Sequence, residues 1–522
     1  MTGDDPWDVF GEEEEDKDKA DKEPEGLSTE SLALNLTHYF VKERHLSSLT
    51  DIHIWGFRQQ GSSCDKVWQE PLTRRGFTVI PSTDDETLVD VVLVLEEHAD
   101  ATDIQTASLR LVPGGFLALP RFLAHSFTFN GKPQPQLEEV WDVRNPIAIP
   151  DESSAALPEW VIFTKWSAPI QASTCPWLPA HHNLYAERQR ASQATCTLTT
   201  RERESPTAVS EATVSRAVEK LQTHGYCIIP GLLDPETSQT FGKLSLADLA
   251  EAATVLKEKE GVDLREPRNS TQEPAAYREL SMREDLRMDL RYGPRLNDWR
   301  GKQGCEPVLF TALDDQKTLA TKADAPNRFL RGHPVILEIV RRTMNLSDKT
   351  LAPGNWGRYN FGGRGSDGSF MDLRVGPVGV IISLPGSADQ ALHADTPHLM
   401  EMYDCLPAHY INVFTPGSMA HSKVGQTALV HGSHRLSYTA KLETDTEKMS
   451  WTSQLVRPEL QLGDVLLFDC RILHFGLANT SSDIERPLIY TNMTQHWFSD
   501  PKNWNDRRPI FSSVDEPTKI EE

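Results

Sequence analysis

The sequence predicts a two-part protein: a small α/β domain at the N-terminal side, then a larger, mainly β domain of barrel or jelly-roll type flanked by helices. Three observations carry this. Between residues 28 and 167, short apolar runs alternate with helical stretches, the pattern of strands and helices around a mainly parallel sheet. Beyond Leu351 the pattern changes to short apolar runs separated by Gly, Pro, Asn and Ser, as in closed or sandwiched β architectures. The 522-residue length is also more than one ordinary domain requires. The expected divisions are 1–27 as an acidic disordered tail, 28–167 as a degenerate Rossmann-like domain, 168–208 as a linker, 209–505 as the second domain and 506–522 as a C-terminal tail.

Residues 1–25 hold 12 acidic and 3 basic residues, too charged and too poor in apolar groups to fold on their own. Over 28–48, Leu32, Leu34, Leu36, Tyr39, Phe40 and Val41 recur at roughly helical spacing. A strand at Asp51–Phe57, a helix over 64–75 and a strand at Phe77–Pro81 follow. Leu88–Leu95 is the most apolar run nearby and predicts a strand buried on both faces. A helix over 101–111 and strands at Phe116–Pro120 and Trp160–Trp166 complete the domain. Residues 168–208 are rich in Ser, Thr, Ala, Gln and Arg without sustained periodicity, which predicts a linker.

The second domain opens with a helix over Ser210–Thr223 that Gly225 ends, then a strand at Tyr226–Pro230. Further helices start at Leu232–Pro235 and cover 244–260 and His333–Met344, while 262–332 predicts short helices and loops. Candidate strands are Trp356–Phe361, Gly379–Leu384, Tyr410–Phe414, Thr427–Val430, Val465–Phe468 and Leu488–Thr494.

Composition narrows the function. A formal charge of −23 argues against non-specific binding to nucleic acid or an anionic membrane. The 7 cysteines form no CxxC pair, so neither a structural zinc site nor a disulfide scaffold is expected, and a reducing, cytoplasmic setting fits. Eight of the 17 histidines fall between His393 and His496, which is where a metal site should lie.

His393 and Asp395 stand two apart after the strand at 379–384. On extended backbone, i and i+2 project to one face, so both reach a single ion. His474, placed after the apolar run Val465–Phe468, is the best third ligand. Two imidazoles and one carboxylate on one face leave three positions open, the facial arrangement of non-haem Fe(II) oxygenases. Arg486 lies 12 residues further on, at the start of the next strand. A buried guanidinium there pairs with a carboxylate through two hydrogen bonds, which suits the distal carboxylate of 2-oxoglutarate.

The chain at this point resembles the phytanoyl-CoA dioxygenase branch of the Fe(II)/2-oxoglutarate dioxygenases. The matching pieces are Gly225–Gly231, His393-x-Asp395, Leu406–Phe414, Gly425–Arg435, Gly463–Asp469 up to His474, and Arg486-Pro487. The resemblance covers 210–500. It implies a double-stranded β-helix, Fe(II) and 2-oxoglutarate as cofactors with ascorbate as a candidate reductant, and hydroxylation of a small molecule with O2, yielding succinate and CO2. It also places Thr427 and Asn412 where such enzymes often touch 2-oxoglutarate. His431 stands where the family usually has Pro, a change in a loop that leaves the triad intact.

Gln390, on the loop before the triad, faces substrate in this reading, and Arg358 is placed to meet an anionic one. The other histidines, His398, His409, His431 and His434 among them, are bystanders or rim residues. The run 362–368 is an unusually glycine-rich turn. Residues 51–119 faintly resemble the later half of an S-adenosylmethionine-dependent methyltransferase, but Gly56–Gly61 is not GxGxG, so a packing or partner-binding module is expected. The rival reading of the whole chain is a non-catalytic binding protein on an oxygenase fold.

Overall fold

The computed structural model describes Ala33, Leu36 and residues 52–57, 65–80, 89–94, 111–120, 128–129, 132–133, 141–142, 160–165, 170–171, 175–178, 182–205, 209–267, 276–291, 293–296, 330–344, 373–376, 378–439, 450–495, 498 and 507–511. Several expectations lie outside these residues: the tail 1–27, most of the 28–48 helix, the helix over 101–111 up to its last residue, the strand Trp356–Phe361 with Arg358, the run 362–368, and most of 506–522.

The chain divides into two compact units, residues 1–166 with 199–201, and 167–198 with 202–522. In the first, strands β1 (His53–Phe57), β2 (Thr78–Ile80), β3 (Val89–Val94), β4 (Leu111–Pro120), β7 (Trp141–Asp142) and β8 (Trp160–Lys165) form one sheet in the order β2-β1-β3-β4-β8-β7, while β5 (Thr128–Phe129) pairs with β6 (Lys132–Pro133). The three pairings β1–β2, β1–β3 and β3–β4 are parallel. The pairings β4–β8 and β7–β8 are antiparallel, so the sheet is mixed. Helix α1 (Asp65–Arg74) joins β1 to β2, as a parallel crossover requires. Its Leu72 packs with Ile54, Val91, Leu93, Phe116 and Ala118 in one core. Every residue of β3 is buried, as the continuous apolar run demands of a strand covered on both sides.

The second unit is built on an eight-stranded and a three-stranded sheet. Most of the segment expected as a linker, all but residues 199–201, belongs to it. Helix α2 (Leu184–Gln193) is anchored by Glu187, whose carboxylate takes the Arg457 guanidinium at 2.8 and 2.9 Å, and Gln171 bonds the backbones of Val424 and Gln426. Thr195 lies in a bridge beside Ile228. Gln171, Glu187 and Thr195, polar residues of the kind that suggest a linker, are here buried and hydrogen-bonded.

Helix α3 (Glu211–His224) starts at an N-cap Ser210 and stops at Gly225, whose φ of +83° and tight contact with the His434 ring suit only glycine. It leads into β9 (Tyr226–Ile229). Helix α4 (Pro235–Glu260), capped by Asp234, is one continuous helix where two helical stretches were expected. Gly242 in its middle lets its backbone press on Gly417, a contact any Cβ would block. The stretch 262–332, read as helices and loops, contributes the hairpin β10 (Leu280–Glu284) and β11 (Arg287–Leu290), and the helix expected over His333–Met344 follows as α5 (Pro334–Thr343). The remaining strands are β12 (Arg374–Val375), β13 (Gly379–Ser383), β14 (Tyr410–Pro416), β15 (Thr427–Val430), β16 (Leu455–Val456), β17 (Val465–Asp469), β18 (His474–Gly476) and β19 (Arg486–Thr494).

The large sheet runs β10-β11-β13-β19-β14-β17-β9, with β12 also on β19; the small one is β16-β15-β18. One face of the large sheet (Val380, Ile382, Ile411, Val413, Leu467, Ile489) packs with residues of α3, α4 and α5. The other (Ile381, Phe414, Leu466, Phe468, Leu488, Tyr490) packs with Leu429 and Val456 of the small sheet. This is a jelly-roll sandwich with helices on its outer side. No helix of the described residues is long and apolar enough to cross a membrane.

Antiparallel register puts directly paired residues on one face, so the inner face is a stack of rows. Arg287, Ser383 and Arg486 make one row across β11, β13 and β19. Asp289, Ile381 and Leu488 make the next. Gly379, Tyr490 and Phe414 follow, then Asn492 and Asn412. Gly379 has a packing reason: a Cβ there would stand 2.6 Å from ring carbons of Tyr490.

Candidate metal centre

The loop after β13 is zipped onto β18. His393 and His474 form an antiparallel bridge, exchanging N–H···O bonds of 3.0 and 2.8 Å. The Asp395 amide donates to the Cys470 carbonyl at 2.8 Å, and the Gln390 amide to that of Gly476 at 2.9 Å. The two-residue spacing therefore aims His393 and Asp395 to the same side, against His474. One ligand atom from each lies within 4.8 Å of the others, and among the described residues this is the one group of His, Cys, Asp or Glu so placed.

Second-sphere bonds aim all three. The Nδ1 of His393 meets the Ala391 carbonyl at 2.7 Å, and that of His474 meets the Ile472 carbonyl at 3.0 Å. With Nδ1–H donating backwards, each Nε2 lone pair points into the site. The Asn412 amide donates to Asp395 Oδ2 at 2.7 Å. Burial, and next the neighbouring His393, lower the pKa of His474 against the opposing pull of Asp395, which favours the neutral imidazole that ligates metal. Two imidazole nitrogens and one carboxylate on one side of a cavity fit Fe(II) with positions left over.

Arg486, first residue of β19, donates through Nη2 to Ser383 Oγ at 2.7 Å. Its Nε and Nη1 are buried without a partner. Burial first, and the nearby Arg287 second, pull its pKa down to about 9. A guanidinium so placed is short of an anion.

The triad, Arg486, Thr427, Asn412 and Gln390 all line one cavity, while Arg358 lies outside the described residues. Gln390 uses its Oε1 to accept the Gly476 amide at 3.0 Å, and Asn412 reaches the metal carboxylate itself. The other histidines among the described residues lie outside this lining. His431 stacks on His224 with centroids 4.6 Å apart and lies 3.1 Å from the Tyr226 hydroxyl. His434 bonds the Gln222 carbonyl, and His409 lies beside Thr396.

Sequence reasoning missed the cavity wall contributed by β10 and β11. Arg283, Arg287 and Arg291 line the same cavity. Arg283 and Tyr490 both bond Asp289, at 2.8 Å each, and Arg291 donates to the Tyr490 hydroxyl at 2.8 Å. A signal was present: Leu280 and Met282, then Leu286, Met288 and Leu290, alternate with polar residues, which is strand periodicity. A bulge between Met282 and Glu284 interrupts the hairpin beside Arg283.

Residues 378–487 match the model of the phytanoyl-CoA dioxygenase (PhyH) family. The Fe(II)/2-oxoglutarate-dependent dioxygenase nvfF of Aspergillus novofumigatus is 25% identical over 207 residues, which is 38% of this chain and 56% of that protein. The chain thus spans little more than half the length of that curated relative. Among solved structures, AviO1 from Streptomyces viridochromogenes Tue57 is similar at 15% identity and a TM-score of 0.29, over 54% of this chain and 95% of that one. The non-heme alpha ketoglutarate dependent epimerase SnoN from nogalamycin biosynthesis is similar at 16% and 0.28, over 55% and 84%. The stretch that matches the phytanoyl-CoA dioxygenase family runs from β13 through both ends of the metal cluster to Arg486-Pro487.

Proposed function

We propose that the protein is an Fe(II)- and 2-oxoglutarate-dependent oxygenase that hydroxylates a small organic or lipid-like molecule, with succinate and CO2 as co-products. The observation that carries this is the triad of His393, Asp395 and His474, with both imidazoles tied back through Nδ1. These three hold the iron, which when bound supplies O2 activation coupled to decarboxylation of the keto acid. Arg486, with Thr427, receives the distal carboxylate; its two unpartnered buried nitrogens support that role. Asn412 holds the Asp395 carboxylate in one orientation, and Gln390 faces the substrate from the loop between β13 and His393. Asp395 also argues against halogenation, since its carboxylate fills the place a halide would need. Residues 28–167 serve in this reading as a packing or partner-binding module, and S-adenosylmethionine binding by the protein would overturn that part.

The test is anaerobic titration of purified protein with Fe(II) and 2-oxoglutarate, followed by succinate measurement in air. Binding and slow succinate release, both lost in His474→Ala, are expected. Absence of both 2-oxoglutarate binding and succinate release in the wild type would overturn the proposal. Metabolite comparison between active protein and His474→Ala then identifies the substrate.

A further inference from the structure

We infer that Arg287 is a second guanidinium ligand for the distal carboxylate of the co-substrate, acting beside Arg486 across Ser383. The inference rests on the 2-oxoglutarate reading above and extends it to a residue outside the matched family region.

The register dictates the arrangement. Arg287 pairs with Ser383, and Ser383 with Arg486, so the three side chains stand side by side on the inner face. The small serine between two long cations lets both reach its hydroxyl, Arg287 Nη1 at 2.9 Å and Arg486 Nη2 at 2.7 Å. Both arginines are almost fully buried, at 1% and 5% exposure. A serine oxygen accepts from both but neutralises neither. The other partners of Arg287 are the Ala388 and Leu477 carbonyls, at 2.8 and 3.3 Å, again neutral. Its nearest carboxylate is that of the half-exposed Glu284, 4.0 Å from Nε and beyond hydrogen-bond distance.

The neighbouring arginines behave differently. Arg283 and Arg291 share Asp289. The pair left without an anion is thus Arg287 with Arg486, whose Nε atoms both lack a hydrogen-bond partner. Two like charges held together out of water are stable only if an anion joins them. A carboxylate offers two oxygens and about four lone-pair sites, enough for both guanidinium groups. Space is also kept for the Arg287 head: a Cβ at Gly476 would stand 2.5 Å from its Nη1.

The experiment titrates the Fe(II) protein without oxygen, following the absorbance of the chelated metal, with two keto acids. 2-Oxoglutarate carries the distal carboxylate; 2-oxobutyrate keeps the chelating end and lacks it. Arg287→Met should weaken 2-oxoglutarate by about tenfold or more, the scale of one lost charge-assisted contact, and leave 2-oxobutyrate within about twofold. Arg287→Lys, which keeps the charge without the fork, should restore part of the loss. Equal weakening of both acids would show that Arg287 only ties down the backbone at Ala388 and Leu477, and would overturn the inference. Unchanged 2-oxoglutarate binding would overturn it too, with the oxygenase reading intact. A wild-type protein that binds neither acid would overturn both.

Discussion

Asn412→Ala should loosen the metal without touching a metal ligand. Asn412 sits in β14, held from both sides by β19 and β17, so its amide has little freedom to point elsewhere. It donates to Asp395 Oδ2 at 2.7 Å, a short bond to an ionised acceptor. Bonds of this kind are worth about 1.5–3 kcal/mol, and loss of such a partner typically costs about 10–100-fold in metal affinity. The Asp395 side chain keeps 17% exposure, so water replaces part of what is lost. The expected loss is therefore in the lower half of that range, about 10–30-fold. Competition between protein and a chelator for Fe(II) or Co(II), without oxygen, reads it directly, with thermal unfolding as the control for the fold. Affinity within twofold of wild type would mean that Asp395 needs no orientation or is not a ligand. Tighter binding would refute the argument as well, because it would show that freeing the carboxylate matters more than aiming it.

Three further perturbations separate binding from stability. Arg486→Met removes a buried cation that lacks an anion, so thermal stability should hold or rise while 2-oxoglutarate binding falls by about 100-fold or more; a parallel loss of stability would show the arginine is structural. Burial lowers the Arg486 pKa to about 9, so its charged form disfavours the fold below that pH, and the wild type should close the stability gap to Arg486→Met as pH rises past 9. Glu187→Ala strands the fully buried Arg457 and should cost about 3–5 kcal/mol in urea unfolding. Burial raises the Glu187 pKa, but His182 and Arg457 outweigh it and lower the net value, so this stability is present above the ordinary carboxylate value of 4.5 and lost as pH falls below it; an insensitive variant would return residues 184–193 to the status of a linker. Gly379→Ala drives a Cβ into the Tyr490 ring and should cost about 1–3 kcal/mol while releasing the Tyr490–Asp289 bond; a neutral outcome in the unfolding midpoint would show that the ring swings aside freely.

The strands flanking the metal cluster were legible because each is a short apolar run with a turn signal at its end, and because His393 and Asp395 use the two-residue period of extended backbone. What no local pattern shows is register. That His393 pairs with His474, and that Arg287 stands one strand from Ser383 and two from Arg486, depends on contacts across gaps of about a hundred residues. Residues 168–208 failed for a related reason. Gln171, Glu187 and Thr195 look like solvent-facing residues, and only the partners Gln426, Arg457 and Ile228 make them interior ones. Composition measures how polar a segment is, not whether its polar groups are already bonded.

Charge gives the sharpest case of the same limit. The chain carries a formal −23, yet the cavity is lined by Arg283, Arg287, Arg291 and Arg486, with Asp395 as the one carboxylate in its lining among the described residues and Asp289 shared between two of the arginines. The two facts do not conflict, because exposed charges are screened over about 8–10 Å in physiological salt while buried ones are not. Twelve of the acidic residues fall in the first 25, so much of the total comes from one short stretch of sequence. In the proposed reading a dianion is drawn into this site by a few desolvated guanidinium groups, and their cost to the fold is what makes them bind: Arg486 already has Ser383 Oγ as an acceptor for Nη2, and its Nε and Nη1 gain one when a carboxylate arrives. Added salt should therefore change the 2-oxoglutarate association rate more than its dissociation rate, since screening acts on the approach and not on the dry contact.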